Sequence, residues 1–141
     1  MRVGIVSDIH CNLAGLETAL GLMGEVDELL CLGDSIFQYR FSNEVVDLLR
    51  RRGAHIILGN HEEDFFAPHG ARAQARPGND PALMAWLAGQ PLSRRLELGG
   101  KRLLMVHSTP WSPRGAYVHP GDPALAGFGE ADAGLGFLEG A

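Results

Sequence analysis

Residues 2–10, Arg2-Val3-Gly4-Ile5-Val6-Ser7-Asp8-Ile9-His10, decide the fold. Arg2–Ser7 is a nearly continuous apolar run rich in Val and Ile, the pattern of a short buried strand. It ends at once in Asp8 and His10, two metal-competent side chains. Beyond them, Asn12 can cap a helix whose apolar positions are Leu13, Leu16, Leu20 and Met23. A second apolar run, Leu29–Leu32, leads into Gly33 and Asp34. Ser42 caps a further helix with Val45, Val46, Leu48 and Leu49 on one face. Arg50–Arg52 suits the negative end of its dipole, and Gly53 ends it. His55–Leu58 makes a third strand running into Gly59-Asn60-His61-Glu62. This β-α-β-α-β order predicts an α/β fold with a parallel, layered sheet.

The rest of the chain adds a helix and a hairpin. Asp80-Pro81 starts a helix containing Leu83, Met84, Trp86 and Leu87, a cap followed by proline at the first helical position. Arg94–Leu98 and Arg102–Val106, separated by Gly99-Gly100, read as antiparallel strands. A turn-rich loop follows His107, then a short helix, Pro123–Phe128, and an apolar stretch, Leu135–Leu138. No repeat or linker interrupts residues 1–141, which predicts one domain.

Composition narrows the function classes. The 141 residues are 45% hydrophobic and 21% charged, neither disordered nor fibrous. No apolar run approaches the ~18–20 residues of a membrane span, and a strand beginning at Arg2 leaves no room for a signal peptide. Two cysteines, Cys11 and Cys31, cannot make a disulfide framework, so a cytoplasmic setting is expected. A formal net charge of −5 argues against nonspecific nucleic-acid binding. The charge is uneven: residues 1–70 carry 11 acidic and 5 basic groups, residues 71–114 carry 2 and 7. Such blocks read as solvated faces, or as an acidic metal site beside a basic surface that receives an anion.

The chemistry gathers at the strand ends. Strand one ends at Asp8-Ile9-His10, strand two at Gly33-Asp34, strand three at Gly59-Asn60-His61-Glu62, and the hairpin's second strand at His107. Ligands of open α/β sheets bind at the carboxyl ends of strands. Each motif alone is weak; four in order are hard to obtain by accident. Mixed carboxylate, imidazole and carboxamide donors suit Mn²⁺, Fe²⁺, Zn²⁺ or Co²⁺ and exclude a structural zinc cage. A carboxylate such as Asp34 has two oxygens and can bridge two ions, which in two-metal hydrolases clamp a phosphoryl group. Gly33 and Gly59 permit close approach of an anion.

The order Ser-Asp-Ile-His, Leu-Gly-Asp-Ser, Leu-Gly-Asn-His-Glu and Val-His-Ser-Thr-Pro-Trp-Ser-Pro resembles the calcineurin-like metallophosphoesterases, over about residues 1–120. The likeness is greatest to their small bacterial and archaeal phosphodiesterase branch. The resemblance implies a layered αββα sandwich and two divalent ions, Mn²⁺ first, with Fe²⁺, Zn²⁺, Co²⁺ or Ni²⁺ as substitutes. It implies that Asp8 and His10 bind one ion, Asp34 bridges, and Asn60 and His107 bind the other. His61 is then a catalytic non-ligand that assists the leaving oxygen while a metal-activated hydroxide attacks phosphorus. The implied substrate is a small-molecule phosphoester or a nucleotide, with phosphodiester hydrolysis as the activity. The resemblance also implies a later Gly-His-x-His motif, which this chain lacks, so the second sheet is expected to be incomplete. His55, His69 and His119 lie in the wrong segments to replace it. The alternative is a truncated, catalytically impaired homologue that only binds metal or phosphate ligands. Oligomer formation stays open.

Other residues receive lesser roles. Arg114, in the loop after His107, could hold a substrate phosphate bidentately. Trp111 packs that loop down. Cys11 is a small spacer at a helix start. His55 opens a strand, and His69 and His119 face solvent.

Overall fold

The computed structural model describes residues 1–110 together with His119, Gly121 and Pro123. Three parallel strands, β1 (Val3–Val6), β2 (Glu28–Cys31) and β3 (His55–Ile56), lie in the order β1-β2-β3. Val3 faces Glu28 and Val6 faces Cys31 across one ladder, and Leu30 faces His55 across the other. Helices α1 (Leu13–Met23) and α2 (Asn43–Arg51) make the two crossovers. Their caps are those expected. The Asn12 side chain accepts from the Gly15 amide at 2.9 Å, and the Ser42 hydroxyl from the Val45 amide at 3.2 Å.

The alternation along β2 separates two apolar layers. Leu29 and Cys31 join one core with Leu16 and Leu20 of α1, Val45, Val46 and Leu49 of α2, and Ile56. That core also takes in α3 (Asn60–Phe66), α4 (Ala71–Gln74) and α5 (Pro81–Ala88) through Phe65, Ala73, Leu83 and Leu87. Leu30 points the other way, meeting Ile57 and Met105 with Leu96 and Leu98 around them. These last residues belong to, or flank, the antiparallel hairpin of β4 (Ser93–Leu98) and β5 (Lys101–Val106). Its turn residues Gly99 and Gly100 have φ of 57° and 72°, the left-handed pair that matches hairpin twist. The described residues thus stack helices, a parallel sheet and a small two-stranded second sheet, consistent with the expected α/β sandwich.

Three local expectations need correction. Strand one is not buried throughout: on the edge of its sheet among the described residues, Ile5 is 56% exposed. The third strand is two residues long, because Leu58 donates to Pro91 O at 2.8 Å instead of continuing the ladder. Residues 60–74 are largely helical, where the sequence pattern predicted no helix between the third strand and Asp80. Arg114, Trp111 and Leu135–Leu138 lie outside the described residues, as does the expected helix Pro123–Phe128 beyond its first residue. No helix of the described residues is long and apolar enough to cross a membrane.

Candidate metal centre

The loops at the carboxyl ends of β1 and β2 are tied to each other by backbone. Asp8 N donates to Gly33 O at 3.1 Å, His10 N to Asp34 O at 3.0 Å, and Cys11 N to Ser35 O at 3.0 Å. This extension of the β1–β2 pairing requires left-handed backbone at Asp8, His10, Cys11 and Asp34, whose φ lie between 49° and 63°. Such conformations cost L-residues roughly 1–2 kcal/mol each. They turn the side chains of Asp8, His10 and Asp34 into one space.

Glu62 ties the third loop to the second. It is fully buried on the first turn of α3. Its Oε2 accepts from the amides of Asp34 and Gly59, both at 2.8 Å. Its Oε1 accepts from the Ser35 amide and hydroxyl at 2.7 Å and from the Ile36 amide at 3.2 Å. In return, Asp34 Oδ1 accepts from the His61 amide at 3.0 Å. The sequence reading assigned Glu62 no role. The available signal was its position three residues after Gly59, the spacing at which a helical Glu reaches back to the cap amide. Gly59 itself is required: a Cβ there would collide with the Asp34 carboxylate and lie 2.7 Å from its amide. At Gly33 a Cβ would lie 2.7 Å from His107 Nδ1.

The structure brings together six expected site residues: Asp8, His10, Asp34, Asn60, His61 and His107. Asp34 Oδ2 is the focus, with Nε2 of His10 at 3.3 Å, of His107 at 3.4 Å and of His61 at 3.7 Å. Asp8 Oδ1 is 4.0 Å from His10 Nε2, and Asp8 also accepts from the Ser7 hydroxyl. Donor atoms of His10, Asp34 and His61 lie within 4.8 Å of one another, as do those of Asp8, Asp34 and His107. Asp34 is common to both groups. The expected partners are adjacent, Asp8 to His10 at 4.0 Å and Asn60 to His107 at 3.0 Å, and His61 also stands near His10 and Asp8 near His107.

The two best-anchored histidines differ in proton placement. His107 Nδ1 donates to Leu32 O at 2.7 Å, so its Nε2 faces Asp34 Oδ2 and Asn60 Oδ1, the latter at 3.0 Å. Both neighbours are acceptors, so a positive charge must sit among them, a proton or a metal ion. In the metal-free chain the hydrogen bond with Asp34 overrides burial and raises His107 to about 9. Burial pushes Asp34 up, but hydrogen bonds from His107, the His61 amide and His10 outweigh it and hold the carboxyl below its usual 3.8. This acceptor-rich space fits divalent cations. His61 is wired the opposite way. Its Nδ1 accepts from the Gln38 amide at 3.0 Å, which leaves the neutral ring's proton on Nε2, facing the centre.

The remaining histidines stand apart. His55 pairs with Glu28 at 2.9 Å on the neighbouring strand, and His69 with Asp64 at 3.3 Å. His119 is exposed. Cys11 Sγ donates to Arg40 O at 3.2 Å, and burial pushes the Cys31 thiol up to about 12, so neither thiol serves the centre.

Residues 1–137 match the model of the calcineurin-like phosphoesterase family. The chain is 39% identical over 119 residues to a symmetrical bis(5'-nucleosyl)-tetraphosphatase of Paracidovorax citrulli, covering 75% of this chain and 42% of that protein. The crystal structure of a metallophosphoesterase from Sphaerobacter thermophilus superposes with a TM-score of 0.69 at 27% identity, over 92% of this chain and 55% of that one. The structure of a putative diadenosine tetraphosphatase gives 0.53 at 32% identity, over 65% and 44%. The chain spans about half the length of the curated relatives it matches.

Proposed function

The chain belongs to the calcineurin-like phosphoesterase family, and from that premise we propose that it is a metal-dependent phosphoester hydrolase. The substrate we infer is a phosphodiester, with a nucleotide favoured because relatives carry the name nucleosyl-tetraphosphatase. The observation that carries the reading is the convergence of three imidazole nitrogens on one buried carboxylate oxygen of Asp34. Asp8, His10, Asp34, Asn60 and His107 would hold two divalent ions, Mn²⁺ being the first to test, with Asp34 shared. When bound, such ions supply positive charge to phosphoryl oxygens and acidify an attacking water.

The chain's own residues divide the remaining work. Asp34 fixes the centre, with Oδ1 on the His61 amide and Oδ2 turned to the donors. His107 presents a bare Nε2 as a ligand because Leu32 O holds its other proton. His61 carries its proton on Nε2 and can donate a hydrogen bond to the leaving oxygen as charge develops there, the catalytic, non-ligand role. Arg114, outside the described residues, remains our candidate for a substrate phosphate.

The test uses the full chain. Loaded with Mn²⁺ and freed of excess metal, it should retain close to two ions and hydrolyse bis(4-nitrophenyl) phosphate. Retained metal without turnover would favour the binding-only homologue, and failure to retain any divalent ion would remove the reading.

A further inference from the structure

The segment after Asp34 carries an aromatic ring that the core does not need. Ile36 is fully buried and Phe41 packs on Phe65, with ring centres 5.7 Å apart, but Phe37 between them is 41% exposed. Phe37 is absent from the core cluster, and its ring neighbours are the site histidines His10 and His61.

Its backbone is rigidly held. Phe37 N donates to Arg40 O and Arg40 N to Phe37 O, both at 3.1 Å, which closes a two-residue turn. That turn is tied to the metal centre twice, by the Gln38 amide on His61 Nδ1 and by the Arg40 guanidinium on His10 O at 3.2 Å. The Phe37 ring then lies 4.8 Å from the His61 ring at an interplanar angle of 34°, and edge-on to the His10 ring at 5.7 Å. One face of Phe37 is therefore covered by the imidazole that carries the catalytic proton. With 41% of the residue exposed, ring surface remains for a second planar group.

Resting on the nucleotide reading above, we propose that Phe37 is the stacking platform for the base of the substrate, making it a specificity-determining residue. A planar group attached to a phosphoester at the centre has an aromatic surface within reach, next to the proton donor for the leaving oxygen. Tyr39, two residues on, is 45% exposed but packs against His69 at 6.4 Å and not against the site histidines. It serves as the internal control.

The experiment measures binding of three probes to the Mn²⁺-loaded full chain by calorimetry: inorganic phosphate, ribose 5-phosphate and adenosine 5'-monophosphate. Base–aromatic stacking predicts that the adenosine compound binds about tenfold more tightly than the baseless sugar phosphate. Phe37→Leu keeps apolar bulk against His61 and should erase that advantage while leaving ribose 5-phosphate affinity unchanged. Phe37→Trp should preserve it, and Tyr39→Ala should not alter it. An advantage that survives Phe37→Leu, or equal losses for both sugar phosphates, overturns the platform while leaving the hydrolase reading intact. If inorganic phosphate and both sugar phosphates all fail to bind, the hydrolase reading falls and takes the platform with it.

Discussion

The loop after β2 and the first turn of α3 each send a buried carboxylate into the other's backbone, and they use it differently. Glu62, from α3, commits both oxygens to scaffolding on Asp34, Ser35, Ile36 and Gly59. Asp34, from the loop, commits one oxygen to the His61 amide and turns the other to three imidazoles. A carboxylate whose acceptor capacity is filled by amides has none left for a ligand. One held by a single amide is oriented and still free to bind. The difference separates a residue that builds the centre from one that acts in it, although the two are equally inaccessible to solvent.

The largest expected effect breaks the reactive member. Asp34→Asn removes the one negative charge common to both donor groups, so Mn²⁺ uptake by calorimetric titration should disappear, and turnover with it. His55→Ala and His69→Ala, whose rings pair with Glu28 and Asp64 away from the centre, should leave uptake unchanged. Equal losses from all three substitutions would show that Asp34 is not the shared ligand.

His61 sharpens the comparison from the α3 side. Because its Nε2–H is directed by the Gln38 amide, His61→Ala should cost about 10²–10³-fold in turnover, the usual worth of one hydrogen-bond donor aimed at developing charge. Metal content should stay at the parent level. Loss of metal in parallel with rate would move His61 into the ligand set, where its distance to Asp34 also allows it to stand.

Glu62→Ala tests the scaffold. It leaves four buried amides and the Ser35 hydroxyl without their acceptor, which should cost at least about 3 kcal/mol and lower Tm by roughly 10 °C. Glu62→Gln should rescue little, since its NH₂ group must face amides that are themselves donors. Metal affinity should fall by the ~10–100-fold typical of lost outer support. A variant with native Tm would show that the two loops hold their positions without this residue.

How much of this was legible in the sequence depends on the reach of each interaction. The caps at Asn12, Ser42 and Asp80 and the Gly99-Gly100 turn act within two or three residues, so local pattern suffices to place them. The donors were legible because strands β1 and β2 and the hairpin each end at one. Glu62 escaped because four of its five donors belong to residues other than its own cap, and all four lie 26–28 positions away. The additional closeness of Asp8 to His107 and of His61 to His10 was illegible for the same reason, since bonds between loops and not order along the chain set it. Phe37 was illegible as an exposed ring, because Ile36, Phe37, Tyr39 and Phe41 show no clean period from which to assign a face.

The smallest effect expected follows from the free oxygen of Asp34 and concerns the metal-free chain. Asp34 holds a proton on His107 and raises it from 6.5 to about 9. The folded state therefore binds that proton more tightly than the unfolded state does. Its contribution to stability is complete below the unfolded value of 6.5 and is lost as pH rises through about 9. Tm of the metal-free chain should accordingly decline between these limits, and His107→Gln should flatten the decline. Asp34 acts at the other end: its depressed value means stability present above 3.8 that is lost as pH falls through the lower folded value. Glu62 supplies no free oxygen to any imidazole, so nothing in its surroundings ties His107 to it. The alkaline decline should therefore vanish in Asp34→Asn, which cannot hold the proton by charge. A decline that persists unchanged in Asp34→Asn would place its origin outside this carboxylate.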